Sequence, residues 1–222
     1  YATKHIELLL KAGANATIVA DDGTTVLMNR RLSFSDFKRL IRYGADPGEY
    51  AEKLLRWWLA DNHDREDAEE EIMLYLIKKY SLDPNTRNEA GRTPLFYNVI
   101  TCSELIELGA SYEITDKEGN IPFIYWFATL GSSPLDELPQ QYYQRQNNEG
   151  KTALHYAVIA RSSFNDIRYL LDHGADWRIK DNSGRTALDY ARELKRFDIC
   201  ELMENYKSLA NPQKTQATAG EP

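Results

Sequence analysis

Gly150-Lys151-Thr152-Ala153-Leu154-His155-Tyr156-Ala157 is answered 34 residues later by Gly184-Arg185-Thr186-Ala187-Leu188-Asp189-Tyr190-Ala191. Between the two lie Ile167, Leu170 and Leu171, followed by Gly174-Ala175-Asp176. Offsets of three and four residues put those apolar side chains on one face of a helix, and Gly174 supplies a left-handed C-terminal cap. Thr152 and Thr186 stand where a hydroxyl caps a preceding, shorter helix. One period therefore reads as a turn, a short first helix, a longer second helix, a glycine cap and an extended hairpin from Asp176 to Gly184.

The second-helix pattern is present on both sides of this stretch. It occurs as Ile6, Leu9, Leu10, Gly13, as Phe37, Leu40, Ile41, Gly44, as Met73, Leu76, Ile77, Tyr80, as Cys102, Leu105, Ile106, Gly109, and last as Ile199, Leu202, Met203, Tyr206. The end points are separated by 31, 36, 29, 65 and 32 residues, the gap of 65 holding one degenerate copy, so the period is about 32. The opening turn has an earlier copy in Gly91-Arg92-Thr93-Pro94-Leu95, with Pro94 at a first helical position where its missing N–H costs nothing. Gly13-Ala14-Asn15, Gly44-Ala45-Asp46 and Gly109-Ala110-Ser111 repeat the landmark after the second helix. Self-similarity at a fixed period means stacked supersecondary units.

These residues closely resemble the ankyrin repeat, whose signature is a Thr-Pro-Leu-His-x-Ala first helix, a longer second helix and a Gly-Ala-Asp hairpin. All three landmarks fall within 150–184, and the resemblance covers roughly 1–207. It implies an all-α fold, an α-solenoid of stacked helix-turn-helix units joined by short β-hairpin loops. Units are expected near 1–20, 21–46, 47–87, 88–115, 116–146, 147–180 and 181–207, with a disordered tail over 208–222. The first unit is cut in half, so the chain reads as starting inside a longer protein.

Two units depart from the pattern. After Pro47-Gly48 a helix is expected from Glu49 to Ala60 with no hairpin before it, and its partner from Asp67 to Tyr80. Asp61 to Glu71 holds seven carboxylates and one Arg. That is either a solvated loop entering a helix whose N-terminus favours Asp67, Glu69 and Glu70, or a docking patch for a basic partner. A calcium loop lacks its alternating acids and central Gly. Trp57 and Trp58 fall on different helix sides, one buried and the other partly exposed. In the second irregular unit Trp126 occupies the slot of Ala157 and Ala191, as a space-filler beside a second helix cut to one turn near 135–138 by Gly131, Pro134 and Pro139. Tyr142 and Tyr143 then read as the start of the next hairpin.

The 222 residues carry 27 Lys and Arg against 34 Asp and Glu, a formal charge of −7 that argues against non-specific nucleic-acid binding. No apolar run has membrane length, and the two Cys read as reduced, core-facing thiols of a cytoplasmic protein. His5, His63, His155 and His173 form no metal-ligand spacing, and the resemblance gives His155 a role in turn hydrogen bonding. With no phosphate loop and no nucleophile elbow, neither catalysis, metal nor cofactor is expected.

What the resemblance implies instead is recognition of a protein partner along a concave surface of hairpin tips and first helices. Carried over by position, the residue before the hairpin Asp or Asn is Arg87, Thr115 or Lys180. Those after it include Glu89, Lys117, Glu118, Asn148, Glu149 and Asn182, and those after the Gly are Arg92, Lys151 and Arg185. Tyr112, Trp177 and Arg178 complete the set, Trp177 standing in a slot that serves either hairpin packing or contact. The mixture of charge and amide predicts a wet, charge-guided interface. Charge is uneven: residues 47–150 carry −10, between +2 over 1–46 and +1 over 151–222. The belt either steers a partner with a basic surface or serves solubility alone. The expected function is a non-enzymatic, monomeric protein–protein interaction module, such as a host-directed effector or an inhibitor masking one target. The alternative is a regulatory or targeting segment of a larger enzyme.

Overall fold

In this computed structural model the second helix before Gly174 ends in the turn its sequence dictates. Gly174 takes φ 94°, and the Ala175 amide reaches back to the Leu170 carbonyl at 2.9 Å. The same bond joins Ala45 to Leu40 at 3.0 Å and Ala110 to Leu105 at 2.9 Å. The helix ending near Tyr80 differs. A tyrosine is costly in the left-handed region, so the turn moves on by one: Ser81 takes φ 50° and Leu82 bonds to Ile77 at 3.1 Å. Second helices also start on a sequence signal, since the Ser33 and Ser163 hydroxyls accept from the Asp36 and Asp166 amides at 3.1 and 3.2 Å.

The structure describes residues 2–29, 31–60, 67–97, 100–134 and 138–206, which divide between two compact units, Tyr1–Ile114 and Thr115–Pro222. The first unit holds α1 (Ala2–Lys11), α2 (Phe34–Arg42), α3 (Ala51–Leu59), α4 (Asp67–Tyr80) and α5 (Cys102–Glu107). A 3-10 turn at Gly48–Tyr50 runs directly into α3, and another, Pro94–Phe96, stands at the Thr93-Pro94 start. Its core centres on Trp58, fully buried with edge-on contact to Phe37 at 6.5 Å, while Trp57 is half-buried.

The second unit holds α6 (Pro122–Thr129), α7 (Ala153–Ile159), α8 (Phe164–Asp172), α9 (Ala187–Glu193) and α10 (Phe197–Asn205). Helices α6, α7 and α9 pack side by side, with α8 and α10 forming the layer behind. Ala157 and Ala191 are wholly buried and let α7 and α9 approach closely, whereas Trp126 fills the equivalent slot on α6. Tyr142 and Tyr143 are not the start of a hairpin. They lie in a 3-10 turn, Gln140–Gln144, and are 5% and 1% exposed. Tyr143 packs edge-on against Phe123 at 5.1 Å and its hydroxyl sits 3.0 Å from that of Tyr169, so the two tyrosines supply the apolar filling that a full second helix gives elsewhere.

Among the described residues the fold is all-α, with no strand. The hairpin loops retain a single bridge each at Val19–Thr25 and Lys180–Thr186. Asp61 to Glu66 with His63, the turn at 135–137 and the tail over 208–222 lie outside the described residues. Glu69 and Glu70, within the acidic segment, are 1% and 8% exposed, and Glu70 accepts from the Ile100 amide at 2.8 Å. These two carboxylates therefore belong to the packing of α4 and to neither a solvated loop nor an open patch.

Candidate protein-binding surface

The hairpin tips are five-residue turns with one repeated plan. An Asp or Asn amide donates to the carbonyl four residues on, and the Gly amide donates back: Asn147 to Lys151 at 3.0 Å with Gly150 to Asn147 at 2.9 Å, and Asp181 to Arg185 at 2.8 Å with Gly184 to Asp181 at 2.8 Å. The same pair of bonds closes the turns at Asn88–Arg92 and Asp116–Asn120. The side-chain oxygen then accepts from amides two and four residues on, as Asn147 does from Glu149 and Lys151, both at 3.0 Å. Nine residues later a tyrosine of the first helix closes the base. Tyr190 donates to Asp181 at 2.6 Å, and the Tyr97 and Tyr156 hydroxyls accept from Asn88 and Asn147 at 2.8 and 3.0 Å. Burial alone would raise the Asp181 pKa. The Ser183 and Tyr190 hydroxyls and the Arg185 and Ser183 amides outweigh it and hold the carboxyl well below its ordinary value.

In the second unit three of these fingers are tied together. The Asn148 amide donates to Glu118 at 3.0 Å and the Asn182 amide to Glu149 at 2.9 Å. Their side chains repeat the step, Asn148 to the Lys117 carbonyl at 3.1 Å and Asn182 to the Asn148 carbonyl at 2.8 Å. The fit leaves no room at the glycine between: a Cβ on Gly150 would stand 2.6 Å from the Asn182 Oδ1 and 2.8 Å from its backbone nitrogen. Asn148 and Asn182, expected as contact residues, thus spend their amides on holding the row.

The remaining expected residues divide by what already occupies them. Lys151 pairs with Glu149 at 2.5 Å and stands 5.7 Å over the Tyr156 ring. Arg185 pairs with Glu193 and lies 3.9 Å over the Tyr190 ring. Arg178 bonds both oxygens of Asp176, at 2.8 and 3.1 Å, and its neighbour Trp177 is half-buried. Glu118 accepts from the buried Asn120 at 3.1 Å, and Thr115 is half-buried. Lys117 and Lys180 are exposed and form no ion pair among the described residues. In the first unit Arg87 and Glu89 are exposed, the Arg87 carbonyl accepts from Arg56 at 3.0 Å, the Arg92 amide donates to Asn88 at 2.9 Å, and Tyr112 is half-buried.

Two further observations bear on chemistry. Cys102 and Cys200 are buried, and burial pushes both thiols up, away from reactive thiolates. Among the described residues no three His, Cys, Asp or Glu side chains are grouped to hold a metal, and no helix is long and apolar enough to cross a membrane. The tyrosines at the finger bases were missed by sequence reasoning, although Tyr156 and Tyr190 sit at one position in the two quoted copies of the motif.

The family model described as "Ankyrin repeats (many copies)" matches residues 141–191. A mimivirus protein (Acanthamoeba polyphaga mimivirus) named as an ankyrin repeat protein is 42% identical over 65 residues, 28% of this chain and 15% of the relative. The human mitochondrial disaggregase is 38% identical over 90 residues, 38% of this chain and 12% of its own length. The nuclear factor NF-kappa-B p105 subunit of Gallus gallus is 30% identical over 134 residues, 54% of this chain and 13% of its own. The matched stretch thus spans less than a sixth of each of these relatives. Repeated finger turns, glycine-capped second helices and these likenesses lead to one conclusion: the chain carries ankyrin repeats, which indicate a protein-interaction module.

Proposed function

We propose that the chain binds a protein partner along the finger row and first-helix faces of residues 115–206. The carrying observation is the tied row itself: its backbone is fixed by inter-finger hydrogen bonds before any partner arrives, so little ordering cost falls on binding. Tip charges alternate in sign, Lys117 beside Glu118 and Glu149 against Lys151, so the partner offers groups of both signs there. The −10 carried by residues 47–150 supports steering of a basic surface on approach, with the on-rate falling as salt rises.

The test uses capture from native lysate with mass spectrometry to identify the partner, then the double variant K117E with K180E on the purified pair. Both side chains are exposed, so the thermal midpoint stays put while affinity falls by roughly tenfold or more. Full binding by the variant overturns the surface, and an on-rate indifferent to salt overturns the steering. A role masking one target, as an effector or inhibitor, is the form this reading takes. The likeness to mitochondrial disaggregase favours a second reading, an ankyrin segment serving a larger chain whose activity resides elsewhere. An adjoining catalytic motif in the full reading frame decides for it.

A further inference from the structure

Helices α8 and α10 lie side by side behind the first-helix layer, and their facing stripes are set by helical spacing. Phe164, Arg168 and Asp172 recur every fourth residue on α8, while Asp198, Glu201, Leu202 and Asn205 share one face of α10. Between them runs a groove of about 400 Å³, closed at one end by Tyr206, whose hydroxyl donates to Asp172 at 2.5 Å. No finger residue and no residue of α7 or α9 lines it.

The groove has an aromatic and aliphatic floor under an acidic rim. Phe164 is 40% exposed at the first position of α8, and Leu202 is half-buried beside it in the lining. Three carboxylates face one cation. That cation, Arg168, leans to Asp172 at 3.6 Å, at the Tyr206 end. At the other end Asp198 meets only the edge of Arg196 at 3.5 Å, and Glu201 is exposed with no ion pair among the described residues. An aromatic ring and two such carboxylates lining one groove are complementary to a guanidinium or ammonium group, which gains from the ring quadrupole and from charge-assisted hydrogen bonds together. The volume is at the small end of the roughly 300–1,000 Å³ usual for ligand sites, so it suits one or two side chains rather than a helix.

We propose that this groove is a second docking site, separate from the fingers, for a short basic segment of a protein partner. An Arg or Lys of that segment lies on Phe164 between Asp198 and Glu201, and an adjacent apolar side chain rests on Leu202. The lining carries a net charge opposite to the segment's, so binding weakens as salt rises.

The experiment is isothermal titration of the full chain with two synthetic probes at low ionic strength, acetyl-Leu-Arg-Leu-Arg-Leu-amide and its counterpart with Glu in place of Arg. The Arg peptide is expected to saturate, the Glu peptide to give no heat. The double variant D198N with E201Q, and separately F164A, each weaken the Arg peptide by roughly tenfold. The altered side chains are at the surface, and unchanged thermal midpoints confirm that the variants fold. The K117E and K180E fingertip variant binds the Arg peptide as the parent does. Equal binding of both peptides, undiminished binding by D198N with E201Q, loss of binding in the fingertip variant, or no saturation by about 1 mM overturns the groove.

Discussion

At His155 the neighbours fix which nitrogen carries the proton. The Thr152 amide can only donate, and it lies 3.1 Å from Nδ1, so Nδ1 accepts and the proton sits on Nε2, facing the Arg185 carbonyl at 3.3 Å. Burial, the largest influence, pulls the imidazole below its ordinary pKa. The unfolded chain therefore takes up a proton near pH ~6.5 while the folded chain does not, and stability present above that pH is lost as pH falls toward the folded value. The slope is at most about 1.4 kcal/mol per pH unit. Urea midpoints at two pH values, one above and one below the ordinary imidazole pKa, are expected to fall further for the parent than for His155→Gln. A different lesson comes from Ser81, which is exposed and held at φ 50° where α1, α2, α5 and α8 are followed by Gly13, Gly44, Gly109 and Gly174. Ser81→Gly loses no packing and relieves the left-handed strain, so it is expected to stabilise by about 0.5–1 kcal/mol, read as a rise in urea midpoint at constant slope.

Among the elements, the fingers show most directly how one repeat specifies the next. Gly150 serves two needs, a φ of 75° and an approach of the Asn182 backbone that any side chain would obstruct. Gly150→Ala is expected to cost about 2–3 kcal/mol, from left-handed strain and the broken contact to Asn182, and to speed hydrogen exchange at the Asn182 amide first. Local pattern made the second helices readable: α4 runs from Asp67 to Tyr80, as its apolar spacing requires. It also made the finger turns readable, because Asn147 and Asp181 with their glycines act within five residues. The roles of Asn148 and Asn182 were not readable, since their carbonyl partners stand 31 and 34 residues away and a tip asparagine looks alike whether it meets a partner or a neighbouring finger. Tyr142 and Tyr143 misled for a related reason. Their neighbours Phe123, Tyr169 and His173 come from elements before and after, and packing among those rings decides a 3-10 turn where two β-formers suggest a hairpin. The groove between α8 and α10 likewise exists only once two copies of the second helix are stacked.

Within each unit, stability is a sum of each repeat's own contribution and of its interfaces with its neighbours. A repeat with poor neighbours opens first, whatever its helix propensity. Helix α7 is enclosed by α6, α8 and α9, and its Ala153, Leu154, Ala157 and Val158 are wholly buried. Helix α1 carries the same second-helix pattern yet leaves Leu8 and Leu9 58% and 61% exposed, next to a hairpin whose Ile18 and Val19 are 63% and 44% exposed. Of its stripe only Leu10 is buried, with Ile6 half-buried and Leu9 exposed, so it returns only part of the roughly 1.5–3 kcal/mol that burying each such side chain provides. Native-state hydrogen exchange is expected to protect α7 amides at least about 100-fold more than α1 amides, a difference of about 2.7 kcal/mol in opening free energy. Helix α10, with Phe197 73% exposed, is expected to fall between them. Equal protection along the chain would mean that opening is global and that neighbour interfaces do not set local stability. Protection of α1 that grows with protein concentration would instead mean that a second copy covers Leu8 and Leu9, because only an intermolecular contact makes local opening depend on concentration.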